Sequence, residues 1–142
     1  MIYWFTGQPA HGKTVLANML KETLPNAYRI DGDDMRELFS NKDYSIKGRV
    51  ENVGTAQRIA HYLHNQGHDV IVSLVAPYID QREDFKKLLG NDLTEIYVHT
   101  SEPRERDHFK AIESLSLKKS RHWFTMRVST EITVCQWEGC YK

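Results

Sequence analysis

Near the start of the chain, Gly7-Gln8-Pro9-Ala10-His11-Gly12-Lys13-Thr14 fits G-x-x-x-x-G-K-[ST] at every fixed position. Two glycines permit backbone dihedrals and close approaches that a Cβ would block, so successive N–H groups can line an anion-sized hollow. In such a loop Lys13 reaches the β- and γ-phosphates of a nucleotide, and the Thr14 hydroxyl sits on Mg²⁺. A second group of polar residues follows. Asp31-Gly32-Asp33-Asp34 closes a short apolar stretch, Arg36 comes about one helical turn after Asp33, and Arg49 and Asn52 are three apart. On its own each has a plainer reading: an aspartate as a helix N-cap, an arginine as a solvated charge.

The elements around these residues must bring them together. Ile2-Tyr3-Trp4-Phe5 reads as a strand, and Val15 to Leu20 carries apolar side chains at helical spacing, the strand–loop–helix setting that the phosphate-loop motif requires. Residues 27–30 form a second short strand ending at Asp31, where a carboxylate faces the ligand crevice of an open α/β sheet. Residues 34–39 look helical. Residues 48–65 form an amphipathic helix on Val50, Val53, Ile59, Ala60 and Leu63, stopped by Gly67. Its histidines, His61, His64 and His68, lack the carboxylate or cysteine that would complete a metal set and read as exposed helix residues. Residues 69–76 are nearly continuously apolar, as in a strand buried on both faces, and end at Pro77. A helix over 79–89 and a strand over 94–100 follow. Ser101-Glu102-Pro103 then signals a further helix start. Strands alternating with helices specify an α/β fold with right-handed crossovers. Residues 123–128 and 132–137 are β-rich and suggest a terminal hairpin or edge strands.

At 142 residues the chain is expected to be one domain. Lys+Arg and Asp+Glu each total 19, so nothing global favours nucleic acid or a membrane surface. Lys118-Lys119-Ser120-Arg121 reads as a solvated loop. The two cysteines, Cys135 and Cys140, are read as free thiols, and no secretory pattern marks the start; both fit the cytoplasm. No apolar run approaches the ~20 residues of a membrane span.

In order, Gly7 to Thr14, Asp31-Gly32-Asp33-x-x-Arg36, Tyr44-Ser45-x-x-x-Arg49-x-x-Asn52 and Ser73-Leu74-Val75-Ala76-Pro77-Tyr78 resemble the adenylylsulfate kinase (APS kinase) family. The resemblance covers about residues 2–107, including Glu105-Arg106-Asp107 before that family's lid. It implies a P-loop kinase-like three-layer α/β/α fold with a mostly parallel sheet. It divides the single domain into a family-like core, 1–110, and a divergent tail, 111–142. It also implies transfer of the ATP γ-phosphate to the 3′-hydroxyl of adenylyl sulfate. By carry-over Asp33 is the carboxylate near the acceptor hydroxyl, as base or Mg²⁺ organiser, supported by Asp31. Arg36, Arg49 and Asn52 hold the substrate's phosphosulfate and ribose. Tyr44 stands for an adenine-stacking phenylalanine, and the backbone of Val75, Ala76 and Pro77 lines the adenine pocket. The implied cofactors are ATP and Mg²⁺, and the partner is a small nucleotide; the oligomeric state is open, a homodimer included.

The chain departs from that pattern in places. Gly54 and Thr55 follow where many members carry arginines, and Ala76 replaces a serine. Beyond Asp107 the lid lysine and tyrosine are missing, apart from Lys110, and Trp123-Phe124-Thr125 is too short to match a substrate segment. The ending is read as a truncated or shifted form of the family's C-terminus. Two rival readings follow: a P-loop kinase for another nucleotide, nucleic-acid end or sugar, and an ATP-binding module with little catalysis.

Overall fold

The computed structural model describes residues 1–99 in full, together with the backbone of residues 123–127 and 133–137. The signal at 101–103, Glu105 to Asp107, Lys110, the basic run 118–121 and Cys140 lie outside the described residues.

Strand β1 (Ile2–Thr6) runs into the glycine loop and helix α1 (Lys13–Thr23). Strand β2 (Tyr28–Asp31), helices α2 (Gly32–Leu38) and α3 (Ile46–Asn65), strand β3 (Val70–Ser73) and helix α4 (Ile79–Leu89) follow. A 3₁₀ turn (Gly90–Asp92) leads into β4 (Leu93–His99), and β5 (Trp123–Arg127) and β6 (Thr133–Trp137) complete one six-stranded sheet of order β2-β3-β1-β4-β6-β5. The first four strands are mutually parallel. β6 runs antiparallel to β4, and β5 antiparallel to β6, so the expected hairpin forms and extends the sheet.

Because successive strand residues face opposite ways, β1 serves two cores. Ile2 and Trp4 pack with Val70, Val72, Val53, Ala56, Ala60, Phe85 and Leu89 on the face covered by α3 and α4. Trp4 meets Phe85 edge-on with ring centroids 5.4 Å apart. Phe5 packs with Ile71, Val98, Leu16 and Ala17 on the face covered by α1. Helices therefore lie on both faces, the three-layer arrangement expected of a parallel sheet.

Several boundaries differ from the sequence expectations by a residue or more, and three have a clear local reason. Helix α2 begins at Gly32 because Asp31, rather than Asp33 or Asp34, is the N-cap, accepting the Asp33 N–H. Helix α3 begins at Ile46 because the Ser45 hydroxyl caps it through the Gly48 N–H. Strand β3 stops at Ser73, and Ala76 then takes a left-handed φ of 41° that carries the chain away from the sheet. The three histidines of the 61–68 region are half-buried rather than exposed. His64 lies 3.3 Å from both the N-terminal ammonium and Asp92, and His68 packs on Tyr28. No metal-binding cluster of His, Cys, Asp or Glu exists among the described residues, and no described helix is long and apolar enough to cross a membrane.

Candidate phosphate-binding site

The sheet order places the chemistry. From β1 the chain crosses to β2 on one side, with β3 between them, and from β3 it returns past β1 to β4 on the other side. Ligands of open α/β sheets bind at such a reversal, beyond the carboxyl ends of the strands. Phe5 pairs with Ser73 and Ser73 with Asp31, so the ends of β1, β3 and β2 lie level, and the glycine loop emerges beside Asp31 and Ser73. The Thr6 hydroxyl donates to the Val75 carbonyl at 2.6 Å and ties the two loops together.

Within the loop the glycines are obligatory. Gly7 has φ 147°, and a Cβ there would lie 2.3 Å from the Val98 carbonyl oxygen. Gly12, with φ 93°, is the N-cap of α1; no side chain caps that helix and no acidic residue occupies its first turn. The helix thus presents its amide end to the loop, where an anion is favoured. Ala10 also has a positive φ of 64°. Lys13 is buried, and its Nζ donates to the Gln8 carbonyl at 2.7 Å, folding the ammonium over the loop. The His11 imidazole meets His99 of β4 edge-on at 5.2 Å. Its pKa is lowered to about 4, first by burial and then by the positive charges of His99 and Lys13.

Facing the loop, the carboxylate that contacts Thr14 is Asp31: the Thr14 hydroxyl donates to Asp31 Oδ2 at 3.0 Å. Ser73 Oγ donates to the same oxygen at 2.7 Å. Burial pushes the Asp31 carboxyl up, but the hydrogen bonds from Ser73, the Asp33 N–H and Thr14, with the Arg29 charge, outweigh it and hold the pKa below its ordinary value. Asp33 stands exposed in the first turn of α2. The oxygen donors here, Thr14, Asp31 and Asp33, suit Mg²⁺, which binds through one or two carboxylates plus substrate phosphates rather than an all-protein cage. The glycine hollow and this set of oxygen donors fit Mg²⁺–ATP.

The expected acceptor residues gather around α2 and the start of α3. Arg36 Nη1 donates to the Asn41 and Asp43 carbonyls at 3.2 and 3.0 Å, and its guanidinium lies 4.1 Å from the centroid of the Tyr44 ring. One face of Tyr44 is therefore taken by Arg36. Asn52, buried, donates to the Gly32 carbonyl at 3.4 Å and links α3 to the Asp31–Asp33 corner. Arg49, half-buried, has no side-chain hydrogen bond or ion pair among the described residues. The connecting loop is rigidly built. Asn41 Oδ1 accepts the Asp43 N–H, Asp43 accepts the Ser45 N–H, and a Cβ at Gly48 would lie 2.1 Å from the Asp43 carbonyl oxygen. Val75, Ala76 and Pro77 form the segment beyond β3, and the Ala76 carbonyl accepts from Arg82 Nη1 at 2.8 Å.

Sequence reasoning missed the residues behind these. Arg82 and Glu95, both buried, meet as charges at 2.8 Å without an aligned hydrogen bond. Burial raises the Glu95 pKa despite that partner. Arg29 and Ser73 brace Asp31. The available signals were slight: an arginine two residues before Asp31, and one hydroxyl inside the apolar run of β3.

Sheet order, glycine loop and facing carboxylate define a P-loop protein of the kinase-like α/β class. The family model for adenylylsulphate kinase matches residues 1–135, and the chain belongs to that family. An adenylyl-sulfate kinase of Buchnera aphidicola subsp. Acyrthosiphon pisum is 33% identical over 106 residues, covering 70% of this chain and 52% of that protein. Another, from Buchnera aphidicola subsp. Schizaphis graminum, is 34% identical over 127 residues, covering 84% of this chain and 60% of that protein. The solved structure of the Mycobacterium tuberculosis APS kinase CysC in complex with AMPPNP and APS is similar with a TM-score of 0.61 and 29% identity, covering 68% of this chain and 60% of that one. The chain thus spans about half to three-fifths of the relatives that it matches.

Proposed function

We propose that the chain transfers the γ-phosphoryl group of ATP to the 3′-hydroxyl of adenylyl sulfate. The supporting observation is the level alignment of the glycine loop with the Asp31-Gly32-Asp33 corner in a chain of this family. The loop amides and Lys13 bind and orient the phosphates. Asp33 stands beside the acceptor hydroxyl as base or Mg²⁺ organiser; the new O–P bond forms as the bond to the β-phosphate oxygen breaks and ADP leaves, and as base Asp33 takes the hydroxyl proton. Thr14 and Asp33 would hold Mg²⁺, which would supply charge neutralisation at the transferring phosphate. Asp31 sets the orientation of Thr14. Arg36, Arg49 and Asn52 hold the acceptor's phosphosulfate and ribose, Tyr44 offers its remaining face to the adenine, and the backbone at Val75, Ala76 and Pro77 lines that pocket. Phosphoryl transfer is chiefly positioning and charge stabilisation, so this set suffices. We read the chain as a single cytoplasmic domain acting on small nucleotides, with a homodimer as the assembly to test by light scattering.

A second reading, the same chemistry on another acceptor, is favoured by Gly54 and Thr55, where the family pattern carries arginines, and by the Arg36 guanidinium on Tyr44. Calorimetry of adenylyl sulfate binding with ADP and Mg²⁺ present separates the two. Saturable micromolar binding is expected. No heat with adenylyl sulfate, with heat from another acceptor, would overturn the first reading.

A further inference from the structure

Arg29 is an unusual residue for its place. It lies on β2, at one edge of the sheet, yet its side chain turns inward beneath α1 and is engaged by oxygens from three elements. Nε donates to Asn18 Oδ1 of α1 at 3.2 Å, and Nη1 to the Ile30 carbonyl at 2.6 Å. Nη2 reaches Ser73 Oγ of β3 at 2.6 Å and Asp31 Oδ2 at 3.3 Å. Register explains the direction: Arg29 and Asp31 are two apart on one strand, opposite Ile71 and Ser73, so all four side chains share the face toward α1.

The hydrogen bonds of this cluster interlock. Ser73, 2% exposed, has one hydroxyl proton, given to Asp31, and accepts from Arg29. Asp31 Oδ2 receives Ser73, Arg29 and Thr14, while Oδ1 receives the Asp33 N–H. Asp31 Oδ2 is thereby occupied as an acceptor, and Thr14 has its only proton committed to it. The lone pairs of the Thr14 oxygen stay open to a cation.

We infer that Arg29 is a positioning residue that, through Ser73 and Asp31, fixes the Thr14 hydroxyl so that its oxygen is already directed for Mg²⁺ when the metal–nucleotide complex enters the glycine loop. The inference rests on the reading of Gly7 to Thr14 as a Mg²⁺–ATP site and goes beyond it, because Arg29 is not among the residues assigned to either ligand. Without the guanidinium, Asp31 loses its charge partner and Ser73 its donor, and the hold on the Thr14 hydroxyl through Asp31 loosens. Groups that orient metal ligands in this way typically account for a tenfold or larger part of metal affinity.

The test is calorimetry of AMPPNP binding to the intact chain with and without Mg²⁺. In the unaltered protein Mg²⁺ should strengthen binding. Arg29→Met should reduce that Mg²⁺-dependent gain roughly tenfold, with Mg²⁺-free binding within about twofold, because the loop amides and Lys13 are untouched. Arg29→Lys, which returns the charge without the planar fork, should recover part of the gain. Ser73→Ala should lower the gain in the same direction, and it carries the test if Arg29→Met fails to fold. An unchanged Mg²⁺ gain in Ser73→Ala, or equal losses with and without metal in Arg29→Met, would overturn the inference while leaving the nucleotide site intact. Absence of AMPPNP binding by the unaltered chain would overturn the site reading and this inference with it.

Discussion

In the glycine loop, Lys13 is buried and its Nζ donates to the Gln8 carbonyl, which holds the ammonium over the loop. Lys13→Ala should lower turnover about a thousandfold, a loss typical of removing one preorganised transition-state contact, while circular dichroism shows the fold retained. Asp33→Ala should behave likewise, because its side chain lies on the surface rather than in the core. His11 gives a pH prediction. Its folded pKa of about 4 lies below the unfolded value of 6.5, so between these values the unfolded chain binds more protons. Its contribution to stability is therefore fully present above about pH 6.5 and is lost as the pH falls toward 4. The melting temperature of the native chain should drop over that window more steeply than that of His11→Asn; parallel curves would contradict the assignment. At this scale the motif residues were legible because their spacing is itself the signal. Which carboxylate meets Thr14 was not. Asp31 and Asp33 are both plausible from sequence, and only the level register of β2 and β3, with Asp31 as N-cap of α2, selects Asp31 for that contact.

Between elements, the segment after β3 is held from behind by Arg82 of α4, which joins the Ala76 carbonyl to Glu95 of β4. Removing one member of a buried ion pair strands the other, at a cost of about 3–5 kcal/mol. Glu95→Gln should thus lower the unfolding free energy measured by denaturant titration by an amount in that range, and a change under about 1 kcal/mol would show that the pair is incidental. The corner between α2 and α3 gives a second expectation. A Cβ at Gly48 would strike the Asp43 carbonyl, so Gly48→Ala should displace the loop that receives Arg36. Acceptor affinity should fall at least tenfold with nucleotide affinity unchanged, since the glycine loop lies elsewhere. Periodicity located the helices well, and α4 has the bounds expected for it. Periodicity is blind to Arg82 and Glu95, because a pair 13 residues apart in sequence is made only when α4 folds back on β4.

Across the whole molecule, four parallel strands and their crossovers follow from the alternation of apolar runs with helical patterns. The hairpin's place in the sheet does not. Pairing of β6 with β4 through Ile96 opposite Gln136 and Val98 opposite Val134 is a long-range choice that composition leaves undetermined. Because β6 covers the outer edge of β4, a chain ending at residue 99 should expose that edge and aggregate, which size-exclusion chromatography would show. A monodisperse truncated chain would mean that the hairpin contributes little. The central claim is tested most directly by incubating the intact chain with ATP, Mg²⁺ and adenylyl sulfate and identifying the products by mass. The account predicts ADP together with adenylyl sulfate carrying one added phosphate on its 3′-oxygen, formed by the native chain and lost in Lys13→Ala. Recovery of unmodified adenylyl sulfate beside ADP formed on a different acceptor would contradict it.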